Sequence, residues 1–175
     1  MFLQRTILFV TPLLLFLASC NTEQQKTQKW YDDTKAKILA QSASQPDSIV
    51  TKFNKDSSYK EEHFFSHGNI YWLKGYEKGK LSLESHYTRD GNWRFTHEWC
   101  GDGRFDFEGV MYQDNGYGLS TWRYCNGKIE EVGVRYNNED VGTWKYYNED
   151  GTFKKQVDFL TKESQGPMPA INSGQ

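Results

Sequence analysis

Four glycines recur at one interval and divide the second half of the chain into repeats. They lie 24 residues apart, at Gly79, Gly103, Gly127 and Gly151. Further turn residues fall about halfway between them, at 90–91, 114–116 and 137–142. A turn about every 12 residues is typical of antiparallel strands joined by tight connections, and a fixed period indicates stacked units. The period predicts an all-β antiparallel meander of stacked two-stranded hairpins over residues 48–160.

Aromatic residues spaced two apart mark one strand of each repeat. The pairs are Trp93/Phe95, Trp122/Tyr124 and Trp144/Tyr146. Because successive side chains of a strand point to opposite faces, the two rings of a pair share a face. We expect the three pairs to stack into one aromatic column, since cross-strand ring contacts stabilise sheets.

Three further positions predict local features of this sheet. Gly109 and Gly133 occupy equal places in successive repeats, and glycine inside a strand indicates close approach of another group, often a ring. After Ile129 the alternation of apolar residues changes parity, which predicts a bulge near Glu131.

The composition is rich in rings and nearly balanced in charge. Aromatic residues make up 16% of the chain, hydrophobic residues only 37%, and the formal net charge is −2. The core must therefore come from large rings. The missing basic excess argues against binding nucleic acid, which needs cations to neutralise phosphates.

One segment carries a family resemblance. The run 142–153 reads Gly-Thr-Trp-Lys-Tyr-Tyr-Asn-Glu-Asp-Gly-Thr-Phe, and 121–129 repeats it with two residues missing from the turn. This pattern resembles the bacterial variant of the MORN repeat, of the type called antitoxin-component repeats, and extends more loosely over 68–160. The resemblance implies hairpins stacked into an elongated sheet that serves as a binding platform, a scaffold or an immunity partner.

The N-terminal residues predict where the protein is targeted. Arg5 precedes an apolar run from Ile7 to Leu17, and residues 17–20 read Leu-Ala-Ser-Cys. A charged start, a short apolar centre and small residues indicate a secretory signal over 1–19. The box resembles the lipobox of bacterial lipoproteins, which implies cleavage before Cys20 and acylation, such as palmitoylation, of that residue. Asn21 then implies the outer membrane, by resemblance to the sorting rule of Gram-negative enteric bacteria.

The remaining segments follow from their polarity and turn residues. Residues 20–28 are polar and predict a flexible, lipidated tether. Residues 29–47 predict a short helix and a linker, because Trp30, Ile38 and Leu39 form a weak apolar stripe that Pro46 ends. Residues 161–175 carry glycine and proline without periodic apolar residues, and we expect a disordered tail.

If Cys20 is acylated, Cys100 and Cys125 are the two remaining cysteines, and an oxidising compartment would allow a disulfide between them. Matching places on alternate strands lie about 9–10 Å apart, whereas bonded cysteines need Cα atoms within about 7 Å. A loop could bring the two cysteines closer together. The sequence is therefore compatible with either a disulfide or two free thiols.

No catalytic or metal-binding motif is evident. His63 and His67 lie four apart but in a predicted strand or loop, without a third ligand. Asp102, Asp106 and Glu108 surround Gly103 and read as solvated turn residues, with a hydrolase as the alternative. We therefore expect no enzyme activity, no metal and no cofactor.

Exposed rings are the candidate binding residues. A single sheet cannot bury both faces, so some of its tyrosines are expected to face water and contact a partner: Tyr112, Tyr117, Tyr136 and Tyr147. Tyr112 and Tyr136 fall at the same place in successive repeats, and we expect them on the face opposite the tryptophan column. The predicted function is a lipid-anchored protein-binding or scaffold module. The alternatives are an immunity protein that neutralises a toxin and a glycan-binding module.

Overall fold

The computed structural model describes residues 11–42, 45–101, 106–159 and 168–171, with side chains from Gln25 onward. These residues form one helix and ten strands. Helix α1 spans Thr11–Gln41. The strands are β1 Ser48–Phe53, β2 Tyr59–Ser66, β3 Asn69–Glu77, β4 Lys80–Tyr87, β5 Trp93–Glu98, β6 Asp106–Tyr112, β7 Asn115–Arg123, β8 Ile129–Tyr136, β9 Glu139–Tyr147 and β10 Phe153–Phe159.

The ten strands form one sheet whose spatial order is their order along the chain, from β1 to β10. Neighbouring strands are antiparallel throughout, which confirms the predicted meander. The turn residues explain the tight connections. Asn137 and Asn138 both have positive φ, at 55° and 65°. Two positive φ angles in succession are what a two-residue hairpin turn compatible with strand twist requires.

The two faces of the sheet differ, because α1 lies against only one of them. This helix face carries Trp93, Phe95 and Val110, which form the main core with Tyr31 and Ile38 of α1. Trp30 of the helix contacts Trp93, with ring centroids 6.0 Å apart. Ile38 and Val110 are 0% and 1% exposed, so the helix closes this core completely.

The other side of the sheet, the outer face, has its own aromatic row. Ring centroids of Phe107 and Trp122 are 4.6 Å apart, those of Trp122 and Trp144 5.9 Å, and those of Trp144 and Phe159 6.4 Å. Arg135 lies over the Trp122 ring at 4.4 Å. Trp144 is 1% exposed, so this row buries a large ring without any covering helix.

The prediction of a single tryptophan column is wrong. Paired residues of neighbouring strands share a face, and Trp93 pairs with Tyr112 whereas Phe107 pairs with Trp122. Tyr112 and Phe107 are five apart in β6, so they point to opposite faces. Trp93 precedes its repeat glycine by ten residues and Trp122 precedes its own by five. With side chains alternating, this odd difference sets the two tryptophans on opposite faces.

The strand glycines and the bulge appear where they were predicted. A Cβ atom on Gly133 would collide with the Trp144 ring, and one on Gly109 would collide with Phe107. The register of β7 and β8 shifts between Trp122 and Arg123, opposite Glu131 and Ile129. The bulge therefore lies at residue 130, beside the predicted Glu131.

Helix α1 begins earlier than the predicted 29–42 and includes residues 20–28, for which we predicted a tether. Lys29 and Asp33 form an i,i+4 ion pair at 2.7 Å on its exposed side. Because cleavage before Cys20 would remove the first part of this helix, a flexible tether in the mature chain stays a prediction. No helix among residues 11–42, the described N-terminal part, has both the length and the apolarity to cross a bilayer.

Part of the C-terminal segment is ordered against the core. Ile171 packs against the cluster of Tyr31, Ile38 and Trp93. The other residues of the predicted tail, 161–167 and 172–175, lie outside the described residues, and disorder there stays a prediction.

Candidate functional site

A cleft of about 410 Å³ opens on the helix face where α1 ends. Its lining residues come from the end of the helix, the linker and three strands: Leu39, Ser42, Gln45, Pro46, Phe64, Tyr71, Trp72 and His86. This volume is within the usual range for ligand pockets, about 300–1,000 Å³. We call it the helix-end cleft.

The floor of the helix-end cleft is a row of rings on adjacent strands. Phe64 of β2 pairs with Trp72 of β3, and Trp72 pairs with His86 of β4. The ring centroids of Phe64 and Trp72 are 4.6 Å apart, and those of Trp72 and His86 5.5 Å apart. Trp72 Nε1 donates to Glu84 Oε1 at 2.9 Å, which holds the indole in place.

The wall is the last turn of α1. The Ser42 hydroxyl donates to the Leu39 carbonyl oxygen at 2.9 Å and lies 2.9 Å from His86 Nδ1. Gln41 Oε1 accepts from the Arg89 backbone N–H at 3.0 Å. These bonds fasten the helix end to the sheet, so the cleft has a rigid wall and a rigid floor.

Ser42, His86 and Glu84 form a contact chain that resembles a nucleophile–base–carboxylate arrangement. Both the Leu39 carbonyl oxygen and His86 Nδ1 lie 2.9 Å from the Ser42 hydroxyl oxygen, and in the contact with His86 the donor depends on the tautomer of the imidazole. His86 Nε2 is 3.6 Å from Glu84 Oε1, beyond hydrogen-bond reach. Burial lowers the pKa of His86 below 6.5, although the Glu84 charge opposes this. A base activates a serine by accepting its hydroxyl proton, and here the Leu39 carbonyl oxygen competes with His86 for that proton.

A second polar cluster fastens the middle of α1 to β6. Tyr31 Oη and Lys35 Nζ each donate to Glu108 Oε1 at 2.7 Å. Burial raises the pKa of Tyr31 strongly, and its bond to Glu108 adds to that rise. Burial of Glu108 would raise its pKa, but the bonds from Lys35 and Tyr31 outweigh this and lower it below 4.5. Glu108 is thus a structural carboxylate bound to the helix.

Replacing Glu108 should weaken helix docking in a pH-dependent way. A carboxyl whose pKa is lowered by folding stabilises the fold above its unfolded pKa, and this contribution disappears as pH falls through the folded value. We expect Glu108→Gln to lower the free energy of unfolding by about 1–3 kcal/mol near pH 7, and much less near pH 3. Urea unfolding at both pH values measures this.

Asp114→Asn is the matched control for this prediction, because the Asp114 side chain is 89% exposed. Its effect should stay within about 0.5 kcal/mol at both pH values. Equal losses for Glu108→Gln at high and low pH would contradict the assigned ionisation.

The two described acidic residues of the group around Gly103, Asp106 and Glu108, have separate partners. Asp106 Oδ1 lies 3.2 Å from His97 Nε2, while Glu108 is held by α1. Asp102 and Gly103 lie outside the described residues. Each described carboxylate therefore has its own cationic or polar partner.

The four candidate tyrosines are packed more than expected. Tyr117 is 8% exposed, and its ring lies 6.2 Å from Tyr112 and 5.3 Å from Tyr136. Tyr112 packs on Trp93 at 4.9 Å, on the same face and not opposite to it. Tyr147 makes an edge contact with Phe153 at 6.0 Å. Tyr112, Tyr136 and Tyr147 are half-buried, and a binding role for them stays a prediction.

Cys100 and Cys125 are joined by a disulfide, with Cα atoms 5.3 Å apart. Cys100 follows β5 and Cys125 follows β7, so both lie in connections beyond the strand ends. The distance estimated for matching strand positions therefore does not apply, because loops bring the two residues together.

The two histidines spaced four apart do not share a ligand position. His63 Nε2 is 2.7 Å from Glu61 Oε2, and His67 Nδ1 is 3.0 Å from Ser66 Oγ. No group of three or more His, Cys, Asp or Glu side chains suited to a metal ion is found in the described part of the chain.

Sequence reasoning did not find the helix-end cleft. Its floor was not found because no motif or spacing in the sequence marks Trp72 and His86 as binding residues. Its wall comes from α1, about 20–50 residues away along the chain, and no periodicity indicates that contact. Comparisons with protein-family models, with curated proteins and with solved structures find no match for this chain.

Proposed function

We propose that the mature protein is a lipid-anchored, non-enzymatic repeat protein of the cell envelope that binds a protein partner in the helix-end cleft. The observation that carries this proposal is the half-buried row of Phe64 and Trp72 that lines the cleft beside the end of α1. Rigid aromatic floors that accept an apolar side chain are typical of binding hot spots. The anchor at Cys20 and the outer membrane rest on the lipobox resemblance.

A protein segment fits the cleft better than a glycan does. Sugar binding uses the open face of an aromatic ring, with hydrogen-bonding groups around it. Lys74 Nζ lies 3.9 Å over the Trp72 ring and covers one of its faces. Leu39 and Pro46 make part of the wall apolar. These features favour an apolar side chain as the inserted group.

The experiment is capture of the partner by the anchored protein from its own envelope fraction, followed by binding measurements on the captured protein. Phe64→Ala should weaken binding about 30-fold, equivalent to about 2 kcal/mol for a hot-spot ring. Gln45→Arg, which places a charged side chain at the mouth from an exposed position, should weaken it as well.

Phe153→Ala is the matched control, because Phe153 is 59% exposed in a strand at the other edge of the sheet. Thermal unfolding of each variant separates lost binding from lost folding. Unchanged binding by both Phe64→Ala and Gln45→Arg would refute the cleft as the binding site. If the captured protein is a toxin, the same binding event gives the immunity function.

A further inference from the structure

Among the described residues, no strand pairs with the outer edge of β1. It is the first strand of the sheet, and all six of its residues are exposed. Ile49, Val50 and Phe53 are 54%, 43% and 62% exposed. An exposed apolar edge strand presents unpaired backbone groups to another strand, and proteins normally block such edges.

The opposite edge, β10, carries blocking features that β1 lacks. Lys154, Lys155 and Asp158 give β10 three charges, and its register shifts between Phe153 and Lys155. The pairing of β1 with β2 is regular over all six residues, and Lys52 is its single charge. Of the two edges of the described sheet, β10 therefore carries features that hinder pairing with another strand, and β1 lacks them.

The open backbone groups of β1 belong to alternate residues. The Asn54 N–H donates to the Tyr59 carbonyl oxygen at 3.1 Å. Hydrogen-bonded residues alternate along an antiparallel ladder. Lys52 and Val50 therefore bond to β2, while the backbone groups of Ile49, Thr51 and Phe53 point away from the sheet.

We propose that two copies of this chain pair through β1, antiparallel, about a two-fold axis at Thr51. Thr51 then faces Thr51 of the second copy, and its outward N–H and C=O groups exchange both hydrogen bonds. Ile49 faces Phe53 of the second copy, a favourable β-branched–aromatic pair that occurs twice. This symmetric pairing uses the same patch on both copies.

The charges of the edge fit the same register. Lys52 faces Val50 of the second copy, so the two lysines are not opposed. Within one chain Lys52 lies opposite Glu61 in the register of β1 and β2. A second copy is thus an occupant that satisfies the hydrogen bonding of the edge, pairs its apolar side chains and keeps the two lysines apart.

The area of the contact determines whether the two copies pair in solution or only at a membrane. Six residues per copy bury less than the roughly 800 Å² per partner of a standard stable interface, so pairing in dilute solution is weak. Tethering both copies to one membrane raises their effective concentration. The membrane-dependent part of this inference rests on the proposed anchor at Cys20.

Cysteine cross-linking of the full chain in membranes tests the register. The two-fold axis places the Thr51 Cα atoms of two copies about 5.5 Å apart, within the range of about 4.4–6.8 Å for disulfides. Thr51→Cys should give a dimer on a non-reducing gel. Lys52→Cys alone should not, because its two copies lie two residues out of register. Val50→Cys and Lys52→Cys should cross-link only when the two variants are mixed.

A proline variant tests the hydrogen bonds of this register. Thr51→Pro removes an outward N–H that makes no bond to β2, so it should abolish the mixed cross-link and leave thermal unfolding unchanged. Gln156→Cys on β10 is the control for random collision.

Two results would overturn the pairing: Thr51→Cys cross-linking no more than Gln156→Cys, or cross-linking to a different protein. The measurement is repeated on the purified Cys20→Ser chain at about millimolar concentration, which matches the effective concentration of a short tether. A dimer there supports the pairing even if the anchor is wrong, so the two failures are distinguishable.

Discussion

Trp144→Ala should lower the free energy of unfolding by about 3–5 kcal/mol, the usual loss for a fully buried tryptophan. Trp144 is 1% exposed, although α1, the helix of the described residues, lies on the other face. Its Nε1 donates to the Val134 carbonyl oxygen at 3.1 Å, and its ring lies flat over Gly133. Removal would leave a cavity between Trp122 and Phe159, because the glycine has no side chain to fill the space, and would remove the indole hydrogen bond to Val134.

Urea unfolding of the mature chain measures this loss. Phe153→Ala, in the neighbouring strand and 59% exposed, is the control and should change stability by less than about 0.5 kcal/mol. A loss below about 1 kcal/mol for Trp144→Ala would mean that the outer face is wet in solution. The aromatic row could not then be a core.

Cys20→Ser should move the protein from the membrane fraction to the soluble fraction. Each buried CH₂ of an acyl chain contributes about 0.8 kcal/mol to membrane binding, and several chains make the attachment effectively permanent. Mass spectrometry of the wild-type protein should find acyl groups on residue 20. Asn21 further predicts that the wild-type protein fractionates with the outer membrane.

Cys125→Ser is the matched control for the anchor. It removes a cysteine and the disulfide to Cys100, but leaves Cys20 intact. This variant should remain in the membrane fraction. If Cys20→Ser also remains there, and wild type carries no acyl groups, the anchor prediction is wrong.

The repeat explains why the fold was readable from the sequence. Hairpins are local, so turn residues such as Asn137 and Asn138 report on structure within a few positions. A chain that turns at every strand end has little choice but a meander, and ten strands follow in chain order. Gly109 and Gly133 were readable for the same reason, since the rings that cover them lie in the same or the next strand.

The sequence did not show which face of the sheet each aromatic side chain occupies, because a shift of one residue along a strand moves every side chain to the other face. Trp93 and Trp122 look equivalent in a list of aromatic pairs, yet they lie on opposite faces. Bulges and two-residue register shifts, such as that between Glu108 and Val110, alter the pairing without any clear sequence signal. The face predicted for Tyr112 was wrong for this reason, since Tyr112 packs on Trp93 and lies on the same side of the sheet.

The sequence by itself determined the period, the turns and the all-β class, because each depends on residues close together in the chain. Only the tertiary structure decided where α1 lies, which cysteines meet and which surface stays open. Those outcomes depend on contacts between distant segments: Ser42 with His86, Lys35 with Glu108, and Cys100 with Cys125. The first two contacts follow from the packing of α1 across β4, β5, β6 and β7, and the third from the connections after β5 and β7. Packing energy between such distant segments has no period along the chain.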